Sequence, residues 1–172
     1  DSLTAQTCML GSVMRAYEYM DVPGVDVLME HNYCFWIVKQ LQSAARQLGK
    51  PWLLSELYGA TGWQFDFEGH KAVGDWQALF GINLRCHHLT WYSMQGEGKR
   101  DYPASISYQS AWYPYYSYIE DYFARLHVLL SQGEPLCDLL IVYPVESLWC
   151  RIYPKWSWQL QTLDPEVQKL EQ

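Results

Sequence analysis

No stretch of this chain comes near the roughly 20 apolar residues that a membrane-spanning helix needs, so it reads as a soluble protein with no membrane partner. Basic clusters are also missing. Twelve Lys and Arg stand against 19 Asp and Glu, for a net charge of -7, which argues against a phosphate-tracking surface and hence against nucleic acid. The glycine-rich phosphate signatures Gly-x-Gly-x-x-Gly and Gly-Lys-Ser/Thr are absent, as is the Gly-x-Ser-x-Gly nucleophile elbow. There is no Cys-x-x-Cys pair. The five cysteines, Cys8, Cys34, Cys86, Cys137 and Cys150, are odd in number, which speaks against a disulfide framework or a zinc knuckle and for buried thiols in a reducing compartment. No secretory leader is visible, and the first residue is Asp1 rather than Met, so a natural start further upstream is expected. At 172 residues the chain is also too short for a complete (β/α)8 barrel, which takes about 250.

What the chain has in excess is aromatic surface: nine Trp and fourteen Tyr. Each ring is large and carries a polar handle. Such rings suit a surface that binds something, and sugars fit, because their C–H faces stack on rings while their hydroxyls take hydrogen bonds. The competing use is packing between helices and a sheet.

Helical and short apolar segments alternate. Residues 4–19 read as a helix, and a turn at Val22-Pro23-Gly24 leads to a strand over 25–29. A helix over 35–48 follows, with Ile37, Leu41, Ala44, Ala45 and Leu48 at three- and four-residue steps and Gly49 at its end. The next strand covers 52–57, a helix spans 67–80, and a third strand covers 82–86. Residues 89–114 lose periodicity and mix polar, Gly, Pro and aromatic residues, as an ordered functional loop would. A strong helix covers 115–130. The apolar run 139–143 reads as a strand buried on both faces. Beyond Pro144 the chain reads as irregular, with a short helix near Asp164-Pro165. Strand starts at Val25, Trp52 and Ile82 are 27 and 30 residues apart, a spacing that suits consecutive βα units, so the fold class is α/β with a parallel sheet.

Sites in parallel α/β folds lie beyond the carboxyl ends of the strands. Glu30, His31 and Asn32 follow the first strand. Glu56 and Tyr58 stand at the end of the second, and His87, His88, Trp91 and Tyr92 follow the third. Glu56 is the sharpest of these. A charge inside Leu53-Leu54-Ser55-Glu56-Leu57 is expensive unless it is paired or used. Its alternative role is an ion pair with Arg85 on the adjoining strand. His87 and His88 are adjacent, so on a strand they point to opposite faces and cannot easily share a metal ion. His88 is better read as a substrate hydrogen-bonding group. Trp63, past Gly62, is either a sugar platform or a loop plug. Arg100 lies in the aromatic loop and is either a substrate contact or part of a solvated turn. Glu68, Lys71 and Asp75 read as the wet face of a helix. Carboxylates with aromatic walls are the equipment of glycoside hydrolysis.

The order of several blocks carries a family resemblance. They are Glu18-Tyr19-Met20-Asp21-Val22-Pro23-Gly24-Val25-Asp26, Ala45-Arg46-Gln47-Leu48-Gly49-Lys50-Pro51, Ser55-Glu56-Leu57-Tyr58-Gly59 and Gly62-Trp63. Gly74-Asp75-Trp76, Gly81-Ile82-Asn83, Lys99-Arg100-Asp101-Tyr102-Pro103, Asp121-Tyr122-Phe123-Ala124-Arg125-Leu126 and Tyr143-Pro144-Val145-Glu146-Ser147 follow. Together they resemble large bacterial glycoside hydrolases, the family 42 β-galactosidase-like and family 106 α-L-rhamnosidase-like enzymes. The resemblance implies that residues 1–133 are the C-terminal half of a catalytic TIM barrel, about strands six to eight with their helices. Residues 1–20 would be the helix after strand five. Residues 134–172 would open a truncated flavodoxin-like, amidotransferase-like domain, with 139–143 as its first strand.

Glu56 would then be nucleophile or base at the end of strand seven in an enzyme cleaving O-glycosidic bonds of plant or host oligosaccharides. Its partner carboxylate would lie on strand four, outside the chain. Asn32, Tyr58, Trp63, Asn83, His88, Trp91 and Arg100 would shape the sugar site. No cofactor or metal is expected from this chain's own residues, although family 106-like enzymes can use calcium. An isolated half barrel exposes strand edges, so a homo-oligomer or an unstable chain is expected. The alternative function is a carbohydrate-binding module without catalysis.

Overall fold

A computed structural model describes residues 3–29, 34–97, 102, 104–152, 165 and 169. From the amino end its elements are α1 (Leu3–Leu10), α2 (Val13–Ala16), a 3-10 turn (Tyr17–Tyr19), β1 (Gly24–Val27), α3 (Phe35–Gln47), β2 (Leu54–Leu57), α4 (Phe67–Leu79), β3 (Leu84–His87), a second 3-10 turn (Tyr113–Tyr115), α5 (Ser117–Leu130) and α6 (Val145–Ile152). They fall into two compact units: Asp21–Gly133, and Asp1–Met20 together with Glu134–Gln172.

The larger unit is α/β. Its strands pair in parallel in the order β1-β2-β3. Crossovers between parallel strands are right-handed as a rule, which in that order puts α3 and α4 on the same face of the sheet. Val25, Val27, Ser55 and Leu57 are buried, and between them on the strands Asp26 is exposed and Glu56 half-buried. α3 buries Val38, Gln40, Leu41, Ala44 and Ala45, an amphipathic stripe at helical spacing. Full burial of a side chain such as Leu41 or Leu57 stabilises the fold by roughly 1.5–3 kcal/mol. Asp66 caps α4 by accepting from the Gly69 amide at 3.0 Å. Gly49 (φ 65°) and Gly81 (φ 91°) turn the chain out of α3 and α4 in a conformation that side chains resist. α5 covers α4 through Phe123, whose ring sits where a side chain on Gly74 would be: an added Cβ would lie 2.1 Å from Phe123 Cζ.

The smaller unit is helical. Trp149 Nε1 on α6 donates to the Gly11 carbonyl at 2.8 Å, and Arg15 lies over the Trp149 ring and pairs with Glu146. Val145 and Leu148 are buried, as is Tyr17, whose phenol burial pushes up to about 12.

Several expectations from sequence are corrected. The helix expected over 4–19 is broken: Gly11 takes φ 75°, and Ser12 caps a new start at α2 by accepting from the Arg15 amide. The three strands are each four residues long and stand one or two residues away from their expected starts, with Trp52 half exposed rather than in β2. Residues 139–143 belong to neither helix nor strand, and Leu139, Leu140, Ile141 and Val142 are exposed. A strand buried on both faces needs a neighbour on each side, and the only sheet among the described residues is β1-β2-β3. The segment after Pro144, expected to be irregular, begins with α6. The helix expected near Asp164-Pro165 falls almost wholly outside the described residues.

Candidate functional site

The parallel register sets the site. Asp26, Glu56 and Cys86 are in line on the three strands. Side chains alternate along a strand, so this row lies opposite the helix-covered Ser55 and Leu57. Asp26 and Glu56 are neighbours in this row, close enough for Glu56 to act on the ionisation of Asp26. Desolvation raises the Asp26 carboxyl above the usual carboxylate range. The neighbouring Glu56 carboxyl pushes the same way, and His88 pulls back. His88 extends the β2–β3 ladder through its amide, which donates to the Leu57 carbonyl at 2.9 Å. Its ring packs beside Leu28 over Gly59, where an added Cβ would lie 2.5 Å from Leu28 Cδ2 and 2.6 Å from His88 Cδ2. A side chain at 59 would displace one of them.

The backbone is strained at this same end of the sheet. Met29 (φ 64°), Tyr58 (φ 69°) and Ala60 (φ 58°) all follow the carboxyl ends of β1 and β2, and all occupy the left-handed region that non-glycine residues avoid. Such residues collect where a fold shapes a site. Two loops are laced together there. The Ala60 amide donates to the Tyr102 carbonyl at 2.8 Å, and Ser105 Oγ donates to the Gly62 carbonyl at 3.0 Å. Ala104, Ser105, Ser107 and Ser110 are buried, so this part of the aperiodic segment is ordered. Trp63 and Trp91, from the loops after β2 and β3, stack with ring centroids 5.0 Å apart and planes 15° from parallel. Trp63 stays 43% exposed, which leaves ring surface for a ligand.

Under the helices lies a second polar network. Arg85 is in register with Ser55 and faces α5, so it cannot pair with Glu56. It reaches Glu120 at 3.3 Å and donates to Tyr58 Oη at 2.9 Å, with its guanidinium 3.9 Å above the Phe123 ring. His87 Nε2 lies 3.1 Å from Glu120 Oε1. Desolvation pushes the Glu120 carboxyl up, but His87 and Arg85 outweigh it and hold it below its usual range. Tyr58 is fully buried, and its hydroxyl donates to the His70 carbonyl at 3.0 Å. The His70 ring sits among Tyr58, Phe65, Trp112 and Tyr116, with Nδ1 2.6 Å from the Asp66 carbonyl. Burial pulls it down to about 4, so it is neutral at pH 7.

Of the residues singled out from sequence, Glu56, His88, Trp63 and Trp91 stand at the carboxyl end of the sheet. Tyr58 does not: its positive φ breaks the alternation, so Leu57 and Tyr58 are both buried. Asn83 precedes β3 at the opposite end. There its Oδ1 accepts from the Leu53 amide at 2.8 Å and its Nδ2 donates to the Pro51 carbonyl at 2.9 Å. Asn32 and Arg100 lie outside the described residues. His87 and His88 diverge to opposite faces, as their adjacency requires. Lys71 pairs with Asp75, which also accepts from Tyr122 Oη at 2.8 Å. Asp26 was missed as a site residue: its alternating neighbours Val25 and Val27 read as a half-exposed strand, and only the register brings it to Glu56. Among the described residues no group of three or more His, Cys, Asp or Glu is placed to hold a metal ion.

No protein-family model matches the chain, and neither a curated protein nor a solved structure matches it.

Proposed function

We propose that this chain is part of a glycoside hydrolase: an arc of a (β/α)8 catalytic barrel in which Glu56 serves as nucleophile or base. The observation that carries the reading is the placement of Glu56. It is a half-buried carboxylate near the carboxyl end of the central strand, on the face the crossover helices leave open. In-order parallel strands with their helices on one face are the local arrangement of a barrel wall, and the open face corresponds to its interior. His88 supplies a hydrogen-bonding group beside the carboxyl pair, and the Trp63–Trp91 stack supplies an apolar wall for a sugar ring. In glycoside hydrolysis a second carboxyl group works across the bond, about 5 Å away in retaining enzymes and further in inverting ones. The reading assigns that group to a strand outside this chain. It takes residues from 134 onward as the opening of a flavodoxin-like domain.

The stacked tryptophans favour one second reading, a carbohydrate-binding module without catalysis. Two measurements separate them. The protein carrying this chain in its full reading frame is assayed on a panel of aryl glycosides, and the 172-residue chain is titrated with oligosaccharides by calorimetry. The glycosidase reading expects hydrolysis by the former and weak binding by the latter. Tight binding by the chain alone, lost in Trp63→Ala and Trp91→Ala, together with no hydrolysis of any aryl glycoside, would establish the module instead.

A further inference from the structure

We propose that Arg85 is a positioning residue of the candidate site, acting from the helix-covered side of the sheet: its hydrogen bond to the Tyr58 hydroxyl holds the strained turn at 58–60, where the loops after all three strands meet. In treating that turn as part of a site, the proposal rests on the glycosidase reading.

The turn needs holding. A bulky residue in the left-handed region costs free energy, and Ala60 follows Tyr58 into the same region two residues later. The backbone angle at 58 carries the Tyr58 side chain under the sheet, where it is fully buried. A buried phenol needs partners for its hydroxyl. Tyr58 Oη has two: it accepts from Arg85 Nη2 at 2.9 Å and donates to the His70 carbonyl at 3.0 Å. Arg85 is itself fixed. Its backbone pairs with Ser55 in the ladder, its side chain is only 7% exposed, Glu120 lies 3.3 Å from it and the Phe123 ring 3.9 Å. A guanidinium stays charged and presents its donors in a planar fork, so it is a rigid anchor for the phenol.

What the turn carries is the rim of the site. The Gly59 carbonyl accepts from the Met29 amide at 2.8 Å, which ties in the loop after β1. The Ala60 amide donates to the Tyr102 carbonyl, which ties in the segment after β3. Gly59 lies so close to Leu28 and His88 that no side chain fits between them. Glu56 stands two residues before Tyr58 on the same strand. A hydroxyl held on one side of the sheet thereby sets backbone positions around the carboxylate on the other.

The test is amide hydrogen exchange, read by mass spectrometry in peptides holding Met29 and Ala60. It uses the protein carrying this chain in its full reading frame, wild type against Tyr58→Phe and Arg85→Met. Val38→Ala, a core truncation in α3 that removes no hydrogen bond, serves for comparison. Both peptides should exchange at least about tenfold faster in Tyr58→Phe and Arg85→Met, and not in Val38→Ala. On an aryl glycoside the first two variants should also lose roughly 10- to 100-fold in kcat, with Val38→Ala near wild type. Arg85→Lys, which restores the charge and a donor, should recover part of both losses. Unchanged exchange in Tyr58→Phe, or a change that Val38→Ala matches, would overturn the proposal, and so would faster exchange with an unaltered kcat. Should Arg85→Met misfold, Tyr58→Phe, which removes a single oxygen atom, decides. No glycoside enters the exchange measurement. Unchanged exchange sinks the proposal and leaves the glycosidase reading standing, whereas local loosening in a protein that hydrolyses no glycoside sinks the glycosidase reading and leaves the fastening of the turn.

Discussion

Glu56 could be picked out of the sequence because a lone charge among Leu53, Leu54 and Leu57 calls for a partner or a task. Its neighbour across the ladder is Asp26, and the alternative ion pair with Arg85 does not form because of register: Arg85 pairs with Ser55 and so lies on the other side of the sheet. Pattern alone gives each strand its alternation but not the phase between strands, so it could not choose between the two. Two predictions follow at this scale. His88→Ala should remove the electrostatic influence that partly offsets the upward shift of the Asp26 carboxyl. The Asp26 midpoint should then rise further, and an unchanged midpoint would contradict the placement of His88. His70 governs an acid transition. Its folded value, about 4, is depressed from the ordinary imidazole value of 6.5, so its contribution is intact above 6.5 and is lost as the pH falls toward 4. The loss is on the order of 3 kcal/mol for a group this buried. Urea denaturation across that window should show it, and His70→Phe should flatten the dependence. A wild-type stability that stays level between those values would contradict the buried, neutral imidazole.

At the scale of elements, periodicity sufficed where a segment was long and striped. α3, α4 and α5 lie within two residues of their expected limits, because each has one apolar face and a glycine or capping signal at an end. It failed where one residue overrides the pattern. Gly11 interrupts an otherwise helical stretch, and Tyr58 adopts a backbone angle that no hydrophobic pattern encodes. α6 was legible in principle: Val145, Leu148 and Trp149 recur at helical spacing behind Pro144, but the tryptophans that follow obscured it. The apolar run at 139–143 misled in the opposite sense, since hydrophobicity alone does not supply neighbouring strands. The α4–α5 contact gives a direct test of packing. Gly74→Ala places a methyl group inside the Phe123 ring volume and should cost about 1–3 kcal/mol in chemical denaturation. Phe123→Leu in the same chain should recover part of that loss, since neighbouring substitutions are not additive. Additive losses would show that the two helices do not meet at this point.

For the molecule as a whole, the βα spacing predicted a parallel sheet, and the sheet is there with its strands in chain order. The aromatic excess divides into two uses that composition could not separate. Tyr58, Phe65, Trp112 and Tyr116 pack around His70, whereas Trp63 and Trp91 stack at the loop ends, and Tyr92, Tyr102 and Tyr108 remain exposed. Exposed apolar side chains are also numerous, among them Val128 and Leu129 on α5 and Leu139 to Val142. Together with an uncovered sheet face, they predict that the isolated chain self-associates or melts at low temperature. Light scattering that reports a monodisperse monomer, with a cooperative melt well above room temperature, would count against the barrel-arc reading. The central claim is that Glu56 does chemistry. The most direct measurement is the rate of aryl-glycoside hydrolysis by the protein carrying this chain, wild type against Glu56→Gln, with folding checked by circular dichroism. The account predicts a fall of roughly 100-fold or more, the scale on which a positioned acid or base acts. A variant that keeps a near-normal rate would contradict it.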